Sequence, residues 1–112
     1  MDYRFKIASQ AKRDLNSIWR YVARTNASNA LDFGDKLLLM AESLKTFPHR
    51  HGQLAKRPNI RKVPYRSYLT FYKIDDKART VEILRFWHAA RDQRRLRLKE
   101  AAPVYSSAIP AV

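Results

Sequence analysis

Residues 3–8, YRFKIA, alternate apolar side chains (Tyr3, Phe5, Ile7) with basic ones (Arg4, Lys6). A period of two sends each set to its own face, the pattern of a half-buried strand. The period changes after Ser9, a residue suited to a helix N-cap. Ala11, Leu15, Ile18, Trp19 and Val22 then make one apolar stripe over 10–24, with Lys12, Arg13, Asp14 and Arg20 on the other side. TNASNA (25–30) is a polar break of turn formers. The spacing predicts a second, longer helix to about Lys45, with Ala30, Phe33, Leu37, Met40, Ala41 and Leu44 as its core stripe. Leu31, Leu38 and Leu39 widen the apolar surface beyond that stripe. Either the helix is covered on two sides within the domain, or a patch is left for a partner chain.

Phe47-Pro48 ends the helical part, and HRHGQLAKRPN (49–59) reads as loop. IRKVPY (60–65), SYLTFYKID (67–75) and TVEILRFWH (80–88) are rich in β-branched and aromatic residues and predict three strands. A tight connection at Arg66 joins the first two, and DKAR (76–79) is a hairpin turn. The order is β-α-α-β-β-β, an α+β fold with a helical hairpin packed on a small, mostly antiparallel sheet. The domain is expected to span 1–92. Residues 93–112 form an extension: a short basic helix carrying Leu96 and Leu98, stopped by Pro103, then an uncharged tail.

With 112 residues the chain suits one domain and one modest core. A hydrophobic fraction of 46% argues against a disordered chain. No apolar run approaches the roughly 20 residues of a membrane helix. The opening MDYRFKIASQ lacks an export signal's apolar stretch, so a cytoplasmic protein without membrane contact is expected. The absence of cysteine removes disulfides and thiolate zinc sites. Charge changes the picture most. Twenty-three Lys and Arg against ten Asp and Glu give +13, which calls for a polyanion or an acidic protein partner. From His49 to Arg66 there are six Lys or Arg and no acid. His49 and His51 form an H-x-H, but with no carboxylate near them in the loop it makes a poor metal site. No cofactor is expected.

Three stretches together resemble the RelE/ParE superfamily of bacterial type II toxins. They are AKRDLNSIWRYVA, ALDFGDKLLLMAESLKTFPHRHG, and IRKVPYRSYLTFYKID with TVEILRFWHAARD. The sharpest pieces are Arg-x-x-x-Tyr-Arg-x-Tyr (61–68) and Ile-Leu-Arg-x-x-His-x-x-Arg-Asp (83–92). The resemblance covers about Tyr3 to Asp92. It implies a toxin neutralised by a cognate, acidic, partly disordered antitoxin in a hetero-oligomer. Lys56, Arg57, Arg61, Lys62 and Arg66, with Leu31 and Leu38, would then be the surface for antitoxin or target.

The superfamily holds two functions. RelE-like members cut messenger RNA on the ribosome, and ParE-like members poison DNA gyrase. RNA cleavage through the ribose 2′-OH needs a base, an acid and cations at the scissile phosphate. Lys56, Arg61 or Arg66 would clamp the phosphate, Arg85 would stabilise the transition state, and His88 would move the proton. RelE-like sequences tend to place a Tyr or a His-Tyr pair just behind the last strand. Here Ala89 and Ala90 follow His88, and no Tyr comes before Tyr105. The ending is more similar to the ParE-like one, in which His88, Arg91 and Asp92 form a structural clasp. Tyr65, Tyr68 and Tyr72 read as core and rim aromatics. A third reading is a basic nucleic-acid-binding module with steeply salt-dependent affinity.

Overall fold

The computed structural model describes residues 2–25 and 27–91 together with Leu96 and Leu98, the side chains of 25 and 27–32 excepted. Strand β1 (Arg4–Ile7) leads into helices α1 (Ser9–Thr25) and α2 (Ala27–Glu42). Two 3₁₀ turns, Ser43–Lys45 and Pro48–Arg50, precede strands β2 (Ile60–Tyr65), β3 (Tyr68–Asp75) and β4 (Thr80–His88). The sheet runs β1-β4-β3-β2, with β1 parallel to β4 and the other pairs antiparallel. This is the expected β-α-α-β-β-β, α+β arrangement.

Several helix boundaries differ from expectation. The polar break expected over 25–30 narrows, since α1 runs to Thr25 and α2 starts at Ala27, and α2 with 16 residues is not longer than α1 with 17. Ser9 is the first helical residue rather than the cap, and the Ala8 carbonyl accepts from the Lys12 N–H at 3.1 Å. The α-helix ends at Glu42 instead of about Lys45, because the last turn tightens to 3₁₀. There the Ser43 hydroxyl donates to the Met40 carbonyl (2.6 Å), offering the backbone a local alternative to the next helical turn.

The period-two and period-3.6 stripes meet in one core on the helical side of the sheet. Ala11, Leu15 and Ile18 from α1 and Leu37 and Ala41 from α2 close over Tyr72, Val81, Ile83 and Phe86. Gly34 makes the hairpin close. It is buried, and a Cβ there would overlap the Trp19 indole, so the ring of α1 occupies the notch that glycine leaves in α2. The outer face carries a second cluster, Ile60, Leu69, Phe71, Leu84 and Trp87, against which Leu54, Leu96 and Leu98 pack.

A bulge lets β4 serve both faces. Phe71 pairs with Arg85 and Tyr72 with Ile83, so Leu84 is the extra residue and the side-chain alternation resets. Ile83 and Phe86 therefore join the helical core while Leu84 and Trp87 join the outer one. Leu96 and Leu98 lie outside any helix, contrary to the expected basic helix. The rest of that helix, the tail, Asp92 and the Leu31 side chain lie outside the described residues.

Candidate functional site

β1 stops pairing at Ile7–Ile83, where the Ala8 N–H still donates to the Ile83 carbonyl (2.9 Å) and the chain turns into α1. The second half of β4, past Ile83, thus has an open edge, whose N–H groups need acceptors. Asp14 supplies one. Its Oδ2 accepts from the Phe86 N–H (3.1 Å) and from Arg85 Nε (2.7 Å), and its Oδ1 from Arg85 Nη2 (3.1 Å) and Gln10 Nε2 (3.2 Å). Both charged side chains are 11% exposed. The Arg85 guanidinium also stands 5.2 Å from the Trp87 ring centroid. A planar fork on a carboxylate, with both oxygens used, is a strong and directional arrangement.

Beside this pair lies a cleft of about 390 Å³ between α1 and the end of β4. Ile18, Tyr68 and Phe86 give it an apolar lining, with Asp14, Ser17, Tyr21, His88 and Arg91 around them. Burial, and then proximity to Tyr21, raise the Tyr68 hydroxyl above the ordinary tyrosine range. His88 stands edge-on to Tyr68, ring centroids 5.0 Å apart, and its Nδ1 accepts from the Ala90 N–H (3.1 Å). That bond assigns the neutral ring as the Nε2–H tautomer. Arg91 stacks its guanidinium on Trp87 (4.0 Å), whose Nε1–H donates back to the Arg91 carbonyl (3.2 Å). Arg91 also faces α1 across the cleft, and Asp92, the third member of the expected clasp, lies outside the described residues.

The other basic candidates are scattered. Arg61 on β2 donates to the His49 and His51 carbonyls (3.1 and 2.5 Å), pinning the loop to the sheet. Lys62 shares a cross-strand row with Phe71 and Arg85. Arg57 donates to the Leu98 carbonyl (3.1 Å). Lys56 is exposed, and so is Arg66, which takes a left-handed conformation (φ 54°) at the β2–β3 turn with its guanidinium 5.7 Å from the Tyr65 ring. Of the residues named for RNA cleavage, Arg66 and His88 share one end of the sheet through the Tyr65–Tyr68–His88 row. Arg61 belongs to the opposite outer strand, and Arg85 to Asp14. Leu38 packs against the helical core, whereas Leu39 is 63% exposed.

Contrary to expectation, a carboxylate does reach the H-x-H, from the β3–β4 turn: Asp76 Oδ1 is 3.0 Å from His49 Nε2 and accepts from the Tyr3 hydroxyl at 2.7 Å. Those bonds, from Tyr3 first and His49 second, hold the Asp76 carboxyl below its usual range, and the same bond raises Tyr3. Among the described residues, no group of three His, Asp or Glu is placed to hold a metal ion. Among them, too, no helix is long and apolar enough to cross a membrane.

Sequence reasoning missed Asp14, Ser17 and Tyr21. The signal existed for Asp14, which lies three residues after Ala11 and four before Ile18 and so borders the apolar stripe.

Solved structures carry the same fold. The chromosomal ParDE toxin–antitoxin system of P. aeruginosa matches with TM-score 0.68 at 16% identity, covering 77% of this chain and 95% of that one. The RelBE2 toxin–antitoxin complex of Mycobacterium tuberculosis matches with TM-score 0.55 at 25% identity, covering 81% and 95%. The isolated E. coli RelE toxin matches with TM-score 0.52 at 19% identity, covering 82% and 89%. A search of curated protein sequences returned no match. The family model for the ParE toxin of the type II toxin–antitoxin system parDE matches residues 5–93, from β1 through the strand end at His88 and Arg91, and the chain belongs to that family.

Proposed function

We propose that this chain is a cytoplasmic toxin that arrests growth by poisoning DNA gyrase, and that an acidic antitoxin holds it inactive in a hetero-oligomer. The observation that carries the reading is the engagement of Arg85 by Asp14. The cation that RNA cleavage would require on the last strand is already bonded through both prongs of its fork. His88 has Ala89 and Ala90 behind it rather than a Tyr, and Arg61 serves the 49–51 backbone. Nothing in this set demands a chemical step, whereas +13 and the cations Lys56, Arg57, Lys62 and Arg66 suit an acidic wrapping chain. The likeness to the P. aeruginosa ParDE system points the same way. The test is supercoiling by purified gyrase with antitoxin-free protein. Supercoiling that continues unaltered at saturating protein would defeat the reading.

The alternative is a ribosome-dependent mRNA endonuclease using Arg61, Arg66, Arg85 and His88. It is favoured by the 25% identity to the RelBE2 complex over 81% of this chain. Under that reading, an Arg85→Ala, His88→Ala double variant that folds normally loses all toxicity. Full toxicity in that variant removes it.

A further inference from the structure

On its outer face the sheet buries an acid between two lysines. Val81 and Ile83 belong to the helical core, so strand alternation sends Glu82 to the other side. The register makes Lys6 of β1 and Lys73 of β3 its direct neighbours, with Ile60 of β2 next in the same row. Glu82 is only 6% exposed, and its Oε1 is buried without a hydrogen-bond partner among the described residues. A buried carboxylate oxygen that lacks a donor is rare, because nothing replaces its lost hydration, and it asks for an explanation.

A cavity of about 130 Å³ opens at this acid, lined by Lys6, Lys73, Asp75, Ala78, Thr80 and Glu82. Asp75 and Thr80 are committed to the β3–β4 turn. Asp75 Oδ1 accepts from the Ala78 N–H (3.0 Å), and the Thr80 hydroxyl donates to the Ala78 carbonyl (3.1 Å). They form a fixed wall, and Glu82 Oε1 is the acceptor still waiting for a donor. The space exceeds the roughly 30 Å³ share of one water molecule, so a single bridging water does not fill it.

The row dictates the chemistry of a guest. Along Lys6–Glu82–Lys73 the sheet offers donor, acceptor, donor. A metal ion or a guanidinium at Glu82 would meet an ammonium on either side, and a simple anion would meet the carboxylate. The match is a neutral planar edge that reads acceptor, donor, acceptor. Among the common nucleobases only uracil and thymine present it, with an N3–H between the O2 and O4 carbonyls. Cytosine has an acceptor in the middle, and guanine has donors at two adjacent places. Arg4 stands one row on, in register with Thr80 and exposed, and alternation puts it on the same face as Lys6. It is placed for the phosphate that accompanies the base in a nucleotide. Lys6 is exposed on the edge strand, so its flexible stem can swing aside to admit the ring. We propose that this cavity binds a uracil or thymine nucleotide, held by Glu82 at N3–H, by Lys6 and Lys73 at the two carbonyls, and by Arg4 at the phosphate. The site shares no residue with the α1–β4 cleft and does not depend on whether gyrase or messenger RNA is the target.

The test titrates the full chain with uridine, thymidine and cytidine monophosphates at low salt, by calorimetry, and repeats this with Glu82→Gln and Lys6→Ala. Thermal unfolding of each variant runs alongside. The uracil and thymine nucleotides are expected to bind about tenfold tighter than the cytosine one, or more. Glu82→Gln keeps the size but can turn an amide donor toward cytosine N3, so the preference collapses while the unfolding midpoint holds. Lys6→Ala, on an exposed edge, weakens uracil binding several-fold. Equal binding of all three nucleotides, or of none, overturns the proposal, and so does a preference that survives Glu82→Gln. Should Glu82→Gln lower the midpoint, Lys6→Ala decides: unchanged uracil affinity there overturns the proposal. Oligonucleotides of uracil, thymine or cytosine alone identify the source of the base. Uracil or thymine strands that bind about tenfold tighter than the monophosphate support a site for a nucleic-acid strand. Strands that bind no tighter support a site for the free nucleotide.

Discussion

Asp14 on α1 grips Arg85 on β4 across 71 positions of sequence, and the same carboxylate closes the open strand edge at the Phe86 N–H. The two bonds make unequal demands on the two residues. Asp14→Ala deprives a largely buried guanidinium of its carboxylate and leaves the Phe86 N–H to find another acceptor, a loss on the order of 2–4 kcal/mol. Arg85→Ala leaves a carboxylate that keeps Phe86 and Gln10 as donors and should cost about half as much. Urea denaturation with matched m-values measures both. An Asp14→Ala variant at least as stable as Arg85→Ala would show that the edge cap contributes nothing.

Gly34→Ala reverses an ordinary sign. In an open helix, alanine in place of glycine stabilises by about 1 kcal/mol. Here the added Cβ meets the Trp19 indole, so the hairpin must spread and the expected result is a loss of about 1–3 kcal/mol. Trp19→Leu in the same chain should restore part of it by vacating the notch. A rise in the melting point of Gly34→Ala alone would show that the helices do not close at this point.

The elements were readable because each buries one face, so alternation in YRFKIA and the stripe from Ala11 to Val22 report geometry directly. Asp14 stands with Lys12 and Arg13 on the polar side of the α1 stripe, where charged side chains ordinarily face water. Its partner is 71 residues away, and no local pattern announces that. His49 looked isolated for the same reason, since Asp76 arrives only when the β3–β4 turn folds back on the loop. The bulge at Phe71/Tyr72 swaps faces without any glycine or proline to mark it. Phe47 in its left-handed conformation carries no sequence mark beyond the proline that follows.

Acid should weaken the fold through His51. Burial first, and then the nearby Arg50 and Arg61, hold its imidazole below the ordinary histidine range. The ring stands edge-on to Tyr72. The unfolded chain therefore binds a proton that the folded chain resists. The contribution is present above the unfolded value, near pH 6.5, and is lost as pH falls below it toward the folded one. Denaturation curves at pH 7.5 and 5.5 should differ, and His51→Gln should shrink the difference. An unchanged difference in that variant would assign the acid sensitivity to other groups.

Tyr72 should be the last tyrosine to ionise. Burial pushes its hydroxyl up to about 12 against the lowering effect of Arg61 and Arg50. Stability contributed by the neutral phenol is intact below pH 10 and is lost as pH rises toward that value. Ultraviolet titration should show one late phenolate, absent in Tyr72→Phe. That variant also leaves the Pro48 carbonyl without its donor and should cost about 1–2 kcal/mol. If Tyr72→Phe removes an early phase instead, the ring is not buried as described.

Cutting the chain after Asp92 should expose the outer face of the sheet. Leu96 and Leu98 pack on the cluster of Ile60, Leu69, Phe71, Leu84 and Trp87, and the Leu98 carbonyl accepts from Arg57. Each leucine is only half-buried, so together they supply about 2–3 kcal/mol, and their loss leaves Trp87 and Phe71 as an apolar patch that invites association. The truncated chain is expected to melt lower, to bind a hydrophobic dye and to aggregate at concentrations where the parent stays dispersed. Leu96→Ser with Leu98→Ser in the full chain separates the two leucines from the remaining tail. If the double variant behaves like the truncation, the cover is those two side chains. If the truncation melts like the parent, residues beyond 92 do not cover the sheet, and the outer cluster is stable with Leu54 alone across it.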